Sequence, residues 1–220
     1  MTQTLRFPRG LYGITPEWDD TNKLLDAVSD AHRGGMTVLQ WRRKLATPEL
    51  ATTQLEALLE RCKQLQLPLL INDDWELACH YHADGAHLGK DDGSLTMARA
   101  ALPAPKFIGA SCYNSPDIAL QALQKGVDYI AFGAMFTSTV KPNAPRALPE
   151  HIQQGLAHCQ AYATAAGRPA VVAIGGITVE NAASVIQAGA DTIAVISSLF
   201  EAPNVYQRAQ AFTDLFTENV

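Results

Sequence analysis

The residues with the most evident chemistry are Gln40-Trp41-Arg42-Arg43-Lys44. In an extended segment alternate side chains point to opposite faces, so Gln40, Arg42 and Lys44 share one side and Trp41 and Arg43 the other. An arginine fork, a lysine point charge and an amide on one face suit an oligophosphate. A short basic run is usually a solvated loop, but the alternation and a polar Gln at the end of an apolar segment argue against that. Two acidic groups follow later apolar runs: Asn72-Asp73-Asp74 and Asp91-Asp92. Asp74 reads as a helix cap. Asn72 and Asp73 would face a bound phosphate, where a carboxylate needs a cation to offset repulsion. With a second carboxylate from Asp91-Asp92, Asp73 would suit Mg2+, which takes a few carboxylates together with substrate oxygens and water.

Positioning these groups requires strands that end side by side. Gly35-Met-Thr-Val-Leu-Gln, Ala83-Asp-Gly-Ala-His-Leu-Gly89, Gly126-Val-Asp-Tyr-Ile-Ala-Phe-Gly133 and Gly189-Ala-Asp-Thr-Ile-Ala-Val-Ile196 share one plan, a glycine turn leading into a short apolar run. Such runs suit strands buried on both faces of a parallel sheet. Strands are expected at Leu11–Ile14, Val38–Trp41, Leu69–Ile71, Ala86–Leu88, Phe107–Ser111, Tyr129–Phe132, Ala170–Ile174 and Thr192–Ile196. Helices are expected at Asn22–Arg33, Pro48–Gln66, Trp75–His82, Leu95–Leu102, Pro116–Lys125, Pro149–Ala166, Val179–Ala188 and Val205–Leu215, with Thr47, Ser94 and Ser115 as N-caps. Eight alternating pairs predict an α/β fold, a (β/α)8 TIM barrel with its active site at the C-terminal rim of the strands, in one domain spanning 1–220. An open doubly wound sheet is the rival architecture.

On that rim, Gly175-Gly176 follows the seventh strand and Ser197-Ser198 the eighth, the two loops where barrels most often hold a single phosphate. The fifth strand ends at Ser111. The loop after the sixth, Thr137-Ser138-Thr139-Val140-Lys141, is rich in hydroxyls and carries one cation; a plain solvated loop is an equal reading. The rim thus offers a metal-assisted diphosphate site near strands two to four and a monophosphate site near strands seven and eight. No Ser-His-Asp or Cys-His set is suggested, so covalent catalysis is not required.

Composition narrows the function classes. The chain is 47% hydrophobic and 18% charged, unlike a disordered polymer. No apolar run is long enough to span a membrane, and Met1–Gly10 lacks the apolar core of a secretory signal. A net charge of −5 argues against nucleic acid as partner. Four scattered cysteines point to a reduced, cytoplasmic compartment and a packing role. His80 and His82 are read as surface residues. Oligomeric state is not encoded in any pattern found.

Gln40-x-Arg42-x-Lys44, Asn72-Asp73, Gly85-x-His87-Leu88-Gly89-x-x-Asp92, Gly109-x-Ser111, Ser138-Thr139-Val140-Lys141, Ile174-Gly175-Gly176-Ile177 and Val195-Ile196-Ser197 together resemble the thiamine-phosphate synthase family, from Leu11 to about Phe200. The resemblance implies a transferase that couples 4-amino-2-methyl-5-hydroxymethylpyrimidine diphosphate to a thiazole phosphate. It assigns Gln40, Arg42, Lys44, Asn72, Ser111 and Lys141 to the pyrimidine diphosphate, with Arg42, Lys44, Ser111 and Lys141 acting in catalysis. Asp73 and Asp92 would hold Mg2+, while Ser138, Gly176, Ile196 and Ser197 would meet the thiazole phosphate. The implied chemistry is dissociative: diphosphate departs and the thiazole nitrogen captures the pyrimidine cation. The family's usual Thr-x-Thr before the lysine is here Ser138-Thr139-Val140, so Thr139 must substitute through a shifted loop or that contact is missing. The rivals are a thiazole tautomerase of the same barrel family, which needs a histidine where this chain has Tyr113, and a non-catalytic phosphate-binding barrel, which leaves Asp73 and Asp92 without a task.

Overall fold

The computed structural model describes residues 4–137 and 146–218. Its first half runs β1 (Gly10–Ile14), α1 (Thr21–Arg33), β2 (Met36–Trp41), α2 (Pro48–Leu65), β3 (Leu69–Asn72), α3 (Trp75–His80), β4 (Gly85–Leu88) and α4 (Leu95–Ala101). The second half runs β5 (Phe107–Tyr113), α5 (Pro116–Gln124), β6 (Tyr129–Phe132), α6 (Pro149–Ala161), β7 (Ala170–Ile174), α7 (Val179–Gln187), β8 (Thr192–Val195), α8 (Ser197–Phe200) and α9 (Val205–Glu218). All eight strands pair in parallel in chain order and β8 pairs with β1, which closes the barrel and excludes the open sheet.

Two apolar layers follow from strand alternation. Leu11, Leu39, Ile71, Ile108, Ile130, Val171 and Ile193 point outward against the helices. Phe7, Tyr12, Val38, Leu70, Tyr129 and Val172 fill the interior. In α1 the buried residues are Leu24, Ala27, Val28 and Ala31, the one-sided spacing of a helix lying on a sheet. Phe7, just before β1, forms the barrel floor: its ring centroid lies 4.1 Å from Tyr129 and 5.4 Å from Tyr12. Gly109 leaves room for the Tyr129 ring, which occupies the space a Cβ there would need.

The repeated glycine-turn units carry a device that pins neighbouring strands. Asp84, Asp128 and Asp191 each precede an even-numbered strand and accept the backbone N–H of the odd strand beside it: Leu69 at 3.0 Å, Ile108 at 2.8 Å and Val171 at 2.9 Å. Arg99 meets Asp128 at 2.7 Å, and Arg168 grips Asp191 with two bonds of 2.8 and 2.7 Å.

The expected N-caps hold: Thr47, Asp74, Ser94 and Ser115 each accept the N–H three residues on. Several expected helix ends are too long. The sixth was expected to reach Ala166 but stops at Ala161, because Thr164 and Gly167 pair in a turn and Arg6 takes the Tyr162 carbonyl at 2.7 Å. The third stops at His80 rather than His82, which adopts a left-handed φ of 53°. Gln66 likewise caps α2 from outside it. β5 runs two residues past its expected end, to Tyr113.

Candidate active site

The C-terminal ends of the strands surround a cavity of about 730 Å³. β2 supplies its basic side as alternation requires: Gln40, Arg42 and Lys44 line the cavity, whereas Arg43 turns away with a side chain 1% exposed, paired with Glu17 and Asp19. The trace of this segment is held by the loop after β1. Thr15 Oγ1 accepts the Arg42 N–H at 2.8 Å, and Glu17 accepts the N–H groups of Lys44 at 3.0 Å and Leu45 at 3.3 Å. Glu17 also accepts from the Arg42 guanidinium at 3.3 Å. Nothing in the spacing links Glu17 to Lys44; only the pairing of β1 with β2 brings them together.

Asn72 and Asp73 lie at the end of β3, and Asp92 in the loop after β4 faces them. Asp73 Oδ2 is 2.8 Å from Lys44 Nζ, and Asp92 Oδ2 accepts the Gly89 N–H at 2.8 Å. The two carboxyl groups also share a hydrogen bond. Burial pulls Asp73 upward, but its hydrogen bonds to Lys44 and Asp92 and the lysine charge hold it below the usual carboxylate range. Asp92 is raised by burial first and by its contact with Asp73 second. Two carboxylates this close need a proton or a cation between them. Among the described residues no group of three or more acidic, histidine or cysteine ligands forms a closed metal cage. The pair therefore fits an ion that draws most of its shell from substrate oxygens and water, as Mg2+ does.

The barrel wall holds a third group. Gln40 Nε2 donates to Tyr12 Oη at 2.6 Å, and Tyr12 Oη lies 2.9 Å from Tyr129 Oη. Tyr129 Oη reaches His87 Nδ1 at 2.9 Å, and His87 Nε2 reaches Ser111 Oγ at 2.8 Å. Burial drives His87 down to about 4, with the charge of Asp73 only partly opposing, so the ring is neutral at pH 7. Tyr12 and Tyr129 are both raised by burial and keep their protons. The sequence shows the ends of this chain, Gln40 and Ser111, and His87 as part of a motif without a role, but not the link between them, because both tyrosines sit in apolar runs and read as core.

The far side is built from the loops after β7 and β8. Gly175 and Gly176 take left-handed φ values of 97° and 66°, and a Cβ on Gly176 would fall 2.5 Å from the Thr137 carbonyl oxygen. Both glycines, Ile196 and Ser197 line the cavity, and the short helix α8 opens there, its Leu199 and Phe200 N–H groups closing on the Ile196 carbonyl. Ten of the expected site residues thus share one cavity: Gln40, Arg42, Lys44, Asn72, Asp73, Asp92, Ser111, Gly176, Ile196 and Ser197. Tyr113 borders the same space. Ser138, Thr139, Val140 and Lys141 lie outside the described residues.

Comparison with known proteins agrees with this geometry. A family model described as thiamine monophosphate synthase matches residues 11–199. A thiamine-phosphate synthase from Bordetella pertussis is 51% identical over 217 residues, covering 99% of this chain and 99% of that one. Another from Methylobacillus flagellatus is 48% identical over 208 residues, covering 94% and 95%. Among solved structures, a thiamine phosphate pyrophosphorylase from Pyrococcus furiosus superposes with a TM-score of 0.80 at 29% identity, covering 98% of each chain. The chain belongs to the thiamine monophosphate synthase family.

Proposed function

We propose that this rim joins 4-amino-2-methyl-5-hydroxymethylpyrimidine diphosphate to 4-methyl-5-(2-phosphoethyl)thiazole, giving thiamine monophosphate and diphosphate. The observation that carries the proposal is one cavity with a basic face, a paired-carboxylate edge and, opposite, a glycine-and-serine turn. The first two suit a diphosphate and the third a monophosphate. Arg42 and Lys44 grip the diphosphate, and Asn72 orients it. As the carbon–oxygen bond breaks, negative charge builds on the leaving oxygens, and preorganised cations lower that barrier more than they favour the intact substrate. Asp73 and Asp92 would hold Mg2+, which when bound supplies further charge neutralisation at the leaving group. Lys141 is assigned to the same task on family grounds. Gly176, Ile196 and Ser197, with Ser138 and Thr139 from the loop after β6, seat the thiazole phosphate so that the ring nitrogen faces the vacated carbon. Holding the two reactants together supplies the entropic part of the acceleration.

The ligands are small phosphorylated molecules. Among the described residues no helix is long and apolar enough to cross a membrane. We take the compartment to be the cytoplasm, a choice supported by four free cysteines. The test is diphosphate release measured with each substrate alone and with both. Release should need both substrates and Mg2+ and should stop with chelator. Release indifferent to chelator, or conversion of the thiazole alone, would contradict the proposal.

A further inference from the structure

The hydrogen-bonded chain through the barrel wall joins Gln40 to Ser111, two of the six residues that the family resemblance assigns to the pyrimidine diphosphate. Its members are interlocked, because each hydroxyl has one proton and a neutral imidazole has one N–H. Gln40 donates its amide to Tyr12 at 2.6 Å, so the Tyr12 proton must go to Tyr129, its other partner at 2.9 Å. The Tyr129 proton then goes to His87 Nδ1. That leaves the imidazole proton on Nε2, donating to Ser111. Tyr12 and Tyr129 are 1% and 0% exposed, so neither has bulk water as a substitute partner. Reversing any one link strands a buried proton or lone pair, which makes the chain run one way as a unit.

We propose that Tyr12, Tyr129 and His87 are positioning residues that fix the polarity of two ligand-facing groups, and thereby set which pyrimidine the site accepts. Tyr12 takes one of the two Gln40 N–H groups, so the amide presents its carbonyl oxygen to the ligand, with at most one N–H beside it, and Ser111 is obliged to offer its proton. The ligand must therefore present a donor to Gln40 and an acceptor to Ser111. A 4-aminopyrimidine does so through its amino group and a ring nitrogen. The 4-oxo analogue sets an acceptor against the Gln40 carbonyl, and Gln40 can turn its amide outward only if all the protons behind it reverse. This proposal rests on the synthase function proposed above for its substrate and on the hydrogen bonds alone for its polarity.

The tests separate these two supports. In substrate-free protein labelled with 15N in its histidine rings, the His87 signal, assigned by its loss in His87→Gln, should show Nε2 protonated and Nδ1 bare. In Tyr129→Phe, which removes the donor to Nδ1, it should become a mixture of tautomers. A predominantly Nδ1-protonated His87 in the wild type, or an unchanged tautomer in the folded variant, would overturn the relay. In turnover, the wild type should prefer the 4-amino over the 4-oxo diphosphate by about a hundredfold or more in kcat/KM, because the wrong partner leaves a buried polar atom unpaired. In Tyr129→Phe that preference should fall below about tenfold, because Tyr12 can then donate to the Gln40 oxygen and let the amide turn. A preference unchanged in the folded variant would overturn the specificity role, whatever its rate. Absence of synthesis from either pyrimidine, together with the expected tautomers, would count against the synthase function and leave the relay supported.

Discussion

Arg42 faces the cavity while one of its nitrogens rests 3.3 Å from Glu17, a geometry that aims the guanidinium without using up its fork. Arg42→Ala should weaken the pyrimidine diphosphate by about 1.5–3 kcal/mol, the range for a charge-assisted hydrogen bond, and so by roughly tenfold to a hundredfold. Titration of the thiazole phosphate should change little; equal losses for both ligands would mean that the two anion sites are not separate. Asp73→Asn should raise the Mg2+ concentration needed for half-maximal rate, because one of two carboxylates is lost while Asp92 and Lys44 stay. An unchanged metal titration would remove Asp73 from the ligand set. His87 gives a pH signature with a definite sign. Its folded value of about 4 lies below the ordinary 6.5, so at low pH the unfolded chain takes up a proton that the native chain refuses. Its contribution is complete above pH 6.5 and declines by up to about 3 kcal/mol as pH falls toward 4. Urea midpoints across that window should slope more steeply for the wild type than for His87→Gln. At this scale the sequence was legible where a side chain breaks its local pattern. Gln40 in an apolar strand and the alternating Arg42 and Lys44 announced themselves. Tyr12 and Tyr129 did not, because a buried tyrosine looks like core until its hydroxyl partner is known.

Among the elements, register is what brings separate strand ends to one rim, and the aspartates of the repeated units help to set it. Asp191 binds the Val171 N–H and both terminal nitrogens of Arg168, with either side chain about a tenth exposed. Asp191→Ala leaves a mostly enclosed guanidinium without its partner and should cost about 3–5 kcal/mol. Chemical denaturation should register that loss while KM for both substrates holds, since the change lies at the opposite end of β7 from the cavity. The repeat itself was visible in the sequence as glycine turns before apolar runs; it located β2, β4, β6 and β8, and the remaining apolar runs supplied the other four strands. The work of its aspartates was not visible, because each acts on a neighbouring strand about twenty residues away. Helix ends were misjudged for a related reason: α6 stops where Arg6, over 150 residues earlier in the chain, takes the Tyr162 carbonyl. A start is encoded locally by a capping side chain, whereas a stop can be imposed from elsewhere in the fold.

For the whole molecule, barrel closure was legible from the count of eight alternating pairs, and the position of the site followed from that closure. The floor was not foreseen, because Phe7 belongs to no strand. Its ring lies beneath Tyr129 and is 1% exposed, so the barrel below the wall tyrosines is stoppered. Phe7→Ala should cost about 3–5 kcal/mol and loosen the tyrosines above it, which thermal unfolding and the amino-to-oxo preference would register together. A vessel sealed at its base fills from the bottom. On the seating proposed above, the pyrimidine would lie against Gln40 and Ser111, next to the wall tyrosines, and the thiazole nearer the lip, so pre-loading with thiazole phosphate should slow pyrimidine entry in stopped-flow traces. The finished molecule has to climb out past the same lip, and traffic through this enzyme is a queue in a cul-de-sac.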